Sequence, residues 1–114
     1  MGCSPRTWNK LVSATDTKTD VVVGGTATPF GPATIYVLNT STTDNCFVTI
    51  NFTGANTTAT PATATDDGVS WQVGTSKEVA FNLNSQNAND TWTVSVIMAA
   101  GKTATVLLNA IQAQ

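Results

Sequence analysis

Few side chains in this 114-residue chain can do chemistry. It has no histidine, which removes Ser–His–Asp and Cys–His nucleophilic sites and every metal site built on imidazole. Two cysteines, Cys3 and Cys46, are too few for a closed thiolate zinc site. They fit either a bridge pinning the N-terminal segment or, the preferred reading, two reduced thiols with Cys46 a small buried hydrophobe opening a strand. The carboxylates are Asp16, Asp20, Asp44, Asp66, Asp67, Glu78 and Asp90. Only Asp66 and Asp67 are adjacent, and "DDG" is ordinary turn chemistry before a strand. A Ca²⁺ site would have to use that pair with loop carbonyls, and no spacing recommends a glycosidase pair. The expectation is a non-enzymatic protein with no cofactor and no metal.

Binding chemistry has more candidates. Tyr36, Trp71 and Trp92 could stack on sugar rings while Asn and Thr supply neutral hydrogen bonds. However, Trp71 alternates with Val69 and Val73, and Trp92 with Val94 and Val96, so both tryptophans are expected in the core. Glycosylation sequons at Asn39, Asn51, Asn56 and Asn89 carry little weight, because a chain this rich in Asn and Thr produces several by chance. Thr-x-Thr triplets recur, for example at 15–17, 63–65 and 103–105, but without the fixed interval an ice-binding array needs.

The elements that would position these groups are strands. Period-two alternation runs through Cys46–Val48–Ile50–Phe52, Val69–Trp71–Val73, Val79–Phe81–Leu83, Trp92–Val94–Val96–Met98 and Ala104–Val106–Leu108. Two further strands are read at 20–24, "DVVVG", and 33–39, "ATIYVLN". The second is apolar on both faces, as a central strand or a subunit contact would be. Turn residues predict hairpins at 39–45, 73–77 and 99–102, with loops at 24–32 and 85–90, while the Thr/Ala segment 54–68 reads as a long loop or a ragged edge strand. About seven strands imply an all-β domain over residues 20–114, either a small closed barrel or, the preferred reading, a single antiparallel β-sandwich of jelly-roll or immunoglobulin-like type. Residues 1–19 lack alternation and read as an extended N-terminal arm. Trp8 in that arm either anchors it to a neighbour or tucks under its own sandwich.

Charge narrows the partners. Charged residues make up 11% of the chain and the net charge is −2, while Thr occurs 22 times and Asn 10. Neutral hydrogen-bonding groups have thus replaced the missing ions. Arg6, Lys10, Lys18, Lys77 and Lys102 form no basic stripe, so nucleic acid is not an expected partner. The longest apolar stretch, "VSVIMAA" at 94–100, is far short of the ~20 residues of a membrane-spanning helix. The start, "MGCSPRTW", has neither a secretory pattern nor the Ser or Thr that N-acylation wants at the position of Arg6, which predicts synthesis in a cytoplasm.

What remains is contact with protein. Between residues 21 and 65 Asp44 is the sole charge, and neutral surface is cheap to desolvate. The same depletion predicts edge strands without charged guards. With Arg6, Lys10 and Lys18 against Asp16 and Asp20 the first twenty residues carry +1. Lys77 and Lys102 against five acids leave the rest at −3. Arm and body could therefore exchange between subunits.

Segments such as "TATPFGPATIYVLNTSTTDNCFVTINFTG" and "TWTVSVIMAAGKTATVLLNA" resemble, in character along most of the chain, the decoration (cement) proteins of tailed-phage capsids. The resemblance implies a virion protein made in the host cytoplasm. It would be a homo-oligomer, a trimer by preference, that stabilises a shell by bridging subunits of the major capsid protein. The residues expected to make the contact are Arg6, Trp8 and Lys10 of the arm and Pro29, Phe30 and Pro32 of the "TPFGP" loop. The alternative is a surface-displayed carbohydrate-binding or adhesive module.

Overall fold

The computed structural model describes residues 6–24, 31–52, 71–83 and 92–112. They form eight strands and no helix: β1 (Thr7–Ala14), β2 (Thr19–Val22), β3 (Ala33–Asn39), β4 (Cys46–Phe52), β5 (Trp71–Val73), β6 (Glu78–Leu83), β7 (Trp92–Met98) and β8 (Ala104–Gln112). Two antiparallel four-stranded sheets result, ordered β1-β8-β3-β6 and β2-β7-β4-β5. Strand pairs β1·β8, β2·β7, β3·β6 and β4·β5 nest inside one another, as in a long hairpin folded over itself. Pairs β3·β8 and β4·β7 then close each sheet.

Alternation explains the core. Val12 and Ala14 of β1, Ile35 and Val37 of β3, and Val106 and Leu108 of β8 face Val21, Val48, Val73, Val94, Val96 and Met98 of the other sheet in one buried cluster. Cys46 lies in it as a free thiol, fully buried. Desolvation pushes that thiol up to about 11.

Three expectations are corrected. Within the arm expected over residues 1–19, Thr7–Ala14 is instead an edge strand, paired with β8 through eight consecutive positions. Trp8 accordingly packs against its own core. Lys10 at an inward-parity position and Leu11 at an outward one break the period-two pattern along this strand. That gives eight strands in place of about seven.

The turns at 39–45, 73–77 and 99–102 do not close hairpins. They carry the chain from one sheet to the other, since β3, β6 and β8 belong to one and β4, β5 and β7 to the opposite one. Local turn chemistry is the same whether the next strand pairs or crosses. Neutral side chains stitch these crossings together. Asn39, fully buried, donates its amide to the carbonyls of Asp44, Val73 and Gly74 and accepts from the Ser41 N–H. Its burial also removes it as a glycosylation site. The Ser76 N–H reaches the Ser41 carbonyl, and the Gly101 N–H reaches Asp16.

Edge strands are guarded, contrary to expectation. Lys10 stands exposed at an inward-parity position of β1, Asp20 sits on the four-residue β2, Glu78 opens β6, and β5 has three residues. Charge and brevity both discourage edge-to-edge pairing.

Candidate protein-binding face

Residues of alternate parity on β1, β8, β3 and β6 form the outer face of the first sheet, and the register lines them up in rows. Leu11, Leu107 and Leu38 make one continuous apolar row that ends at Glu78 on the rim. Beside it runs Asn9, Asn109, Tyr36 and Ala80, and then Thr7, Ile111, Thr34 and Asn82. Thr34 donates its hydroxyl to Asn82 at 2.9 Å, closing that row on itself. Leu11 is 65% exposed and Ile111 40%, whereas Leu107, Leu38 and Tyr36 are half-buried. A shallow depression of about 440 Å³ lies here, with Asn9, Tyr36, Asn109 and Ile111 among its lining residues. Across these rows Glu78 is the single ionisable side chain apart from the Tyr36 phenol.

The outer side of the second sheet differs. Thr93 and Ser95 on its central β7 are buried, although they alternate away from the core. Ser95 donates its hydroxyl to Asp20 at 2.5 Å, and Lys18 sits 3.0 Å from the other carboxylate oxygen. Exposed large apolar side chains among the described residues are Leu11, Ile111 and Trp71, and the first two share the face of the leucine row.

Burial alone would raise the Asp20 carboxyl, but the Ser95 hydroxyl and Lys18 more than offset it and hold the group below its usual value. A depressed carboxyl contributes stability that is complete above its unfolded pKa and lost as pH falls through the folded one. Acid unfolding should therefore show a component below pH 3.8 that Asp20→Asn removes, read by urea midpoints across the acid range.

The expected contact residues fall in different places. Arg6 is half-buried and donates a guanidinium N–H to the Gly24 carbonyl at 3.2 Å, so it braces the connection after β2. Trp8 is half-buried against the core, while Lys10 is exposed on the rim of a groove of about 560 Å³ between β1 and β2. Pro32 is half-buried where β3 begins, next to Gly31, whose carbonyl accepts the Trp92 indole N–H at 2.8 Å. Pro29 and Phe30 lie outside the described residues, as do Cys3, Val69 and the Asp66–Asp67 pair. Arg6 and the first residue of the "GGTATPFGP" stretch thus meet, but Trp8 and Lys10 run away from it along β1.

Trp92 is in the core as expected, but Trp71 is not: it is 58% exposed. Its parity is inward, yet β5 is a sheet edge, so the ring lies at the open margin between the two layers. There it meets Phe81 of β6 edge-on, ring centres 5.8 Å apart. Alternation identifies the face a residue shares, not whether a neighbouring strand covers it.

Among the described residues no group of three or more Cys, Asp or Glu side chains is placed to hold a metal ion. Among the same described residues no helix is long and apolar enough to cross a membrane. No family model matches the chain, and no curated protein or solved structure matches it either.

Proposed function

We propose that this chain is a non-enzymatic structural protein of a virion, held in a protein shell with the outer face of its β1-β8-β3-β6 sheet covered by polypeptide. The observation that carries the reading is the row Leu11–Leu107–Leu38 beside Tyr36 and Ile111, on a face whose one carboxylate is at its rim. Fully burying a leucine is worth about 1.5–3 kcal/mol, and the neighbouring Asn and Thr groups can be paired at little desolvation cost. With charge or shortness guarding the edges, the face is the more accessible route to a partner.

Strand order adds fold-level support. The nested pairs read as a jelly roll, an architecture used by viral capsid domains and also by lectins, and not as an immunoglobulin sandwich. That likeness is an analogy and does not choose between the two uses. The face replaces the swinging arm as the means of attachment, because residues 7–14 are committed to their own sheet.

Quantitative mass spectrometry of particles purified from the source culture tests the reading. The chain should be present in copy numbers comparable to those of the coat protein, and Leu107→Lys should release it into the soluble fraction. Its absence from particles would refute the proposal.

Exposed Trp71 favours a second reading, a carbohydrate-binding module that stacks a sugar ring on the indole beside Phe81. Glycan binding that disappears with Trp71→Ala would establish it.

A further inference from the structure

The Gln112 N–H donates to the Arg6 carbonyl at 2.8 Å, which makes positions 6 and 112 a hydrogen-bonded pair at the end of the β1·β8 ladder. Such pairs alternate along an antiparallel ladder, so Trp8, Lys10, Val12 and Ala14 turn their backbone groups toward β8. Thr7, Asn9, Leu11 and Ser13 turn theirs the other way, and all four residues are exposed. Among the described residues no backbone group meets them. At eight residues β1 is also the longest free edge, against four in β2, three in β5 and six in β6. It is long enough to bond a whole added strand.

Beside this edge lies the groove of about 560 Å³ between β1 and β2. A strand bonded to β1 would send every second side chain toward it, opposite Trp8, Lys10 and Val12. Lys10 is exposed there. The ion pairs of Lys18 with Asp20 and Lys102 with Asp44 leave its ammonium without a carboxylate among the described residues. We infer that the free edge of β1 receives an extended segment of a different polypeptide, whose groove-facing side chains read apolar, acidic, apolar. The acid pairs with Lys10, and the apolar residues continue the core layer past Trp8 and Val12. Positions 8, 10 and 12 fall in the non-hydrogen-bonded class of cross-strand pair, where facing side chains lie closest. The edge is a second attachment, and its occupancy does not require that the outer leucine face be covered.

A second copy of this chain is a poor occupant. Two β1 edges that overlap fully about a twofold axis must bond through their free residues, Thr7 with Ser13 and Asn9 with Leu11. That register sets Lys10 directly opposite Lys10, and like charges so placed are destabilising. The guard against self-pairing is therefore also a selector for an acid. Elsewhere in the chain the apolar-x-acidic-x-apolar pattern occurs at Ala88–Asp90–Trp92, and Trp92 is committed to the core.

A short end-blocked threonine peptide carrying valine, aspartate and valine at alternate positions is the probe. Added to the full chain at millimolar concentration, it should slow hydrogen exchange at the amides of Asn9, Leu11 and Ser13. Lys10 and Val12, which β8 already protects, should change less. Replacing the peptide's aspartate with lysine should weaken binding about fivefold, and Lys10→Glu should reverse that order. Asn9→Pro removes one edge N–H without touching a β1·β8 bond, so it should abolish the protection. Absence of protection at these amides, or binding indifferent to Lys10→Glu, would overturn the inference.

Discussion

A chain lacking residues 1–14 should be unfolded, as read by far-UV circular dichroism and by the loss of a cooperative thermal transition. The deletion removes eight paired positions and strips one side of β8, the strand to which β1 is zipped. It also takes Val12 and Ala14 out of the buried cluster and Trp8 from its margin. Losing Val12 alone forfeits about 1.5–3 kcal/mol of burial, against a total stability of ~5–15 kcal/mol for a typical domain. The exposed flank of β8 would meanwhile become an unguarded edge, open to pairing with other chains. Trp8→Ala is the graded version and should cost about 2 kcal/mol, below the ~3–5 kcal/mol of a fully buried tryptophan. A truncated chain that still melted cooperatively would mean that β1 is an appendage after all.

The second large effect belongs to Asn39→Leu, which keeps the side chain's volume and removes its polarity. Two amide protons serve the carbonyls of Asp44, Val73 and Gly74, and the amide oxygen serves the Ser41 N–H. Leucine leaves those backbone groups without this partner, the Val73 carbonyl in a buried place and the others in partly buried ones, at roughly 1–3 kcal/mol for a fully buried group and less for the rest. A loss of about 3–5 kcal/mol in chemical denaturation is expected. Asn39→Asp should be worse at neutral pH, because a carboxylate would face three carbonyl oxygens. Its deficit should shrink in acid, where the introduced carboxyl regains a proton to donate. A change below ~1 kcal/mol for the leucine variant would show that the two turns do not depend on this side chain.

Much of the fold was legible because a half-buried strand writes its period into the sequence. Val48–Ile50, Val94–Val96 and Val106–Leu108 announced β4, β7 and β8 without reference to anything distant. β1 was hidden by its own guard: Lys10 on an inward position makes an edge strand look like an arm. Trp71 was misplaced because parity carries no information about edges. The crossings carry the same local signature as hairpins, because Gly, Ser and Asn turn the chain equally well within a sheet and between sheets.

The candidate face was the least legible feature. Leu38 could be seen to point away from the core of its own strand. That Leu11 and Leu107 lie beside it depends on a register joining residues nearly a hundred positions apart, which no local pattern records. The excess of Thr and Asn has two sources in the structure. Some of these residues bind the sheet crossings, as Asn39 does, and others surround the leucine row with neutral hydrogen-bonding groups.

Protection of that row in the assembled state is the most direct test. A thiol introduced by Leu11→Cys in a Cys3→Ser background would be the reporter, since Cys46 is buried and held protonated. Maleimide should label it readily in the free chain at high dilution and at least tenfold more slowly in the purified particle. Equal labelling rates in the two states would contradict a face that works covered by protein.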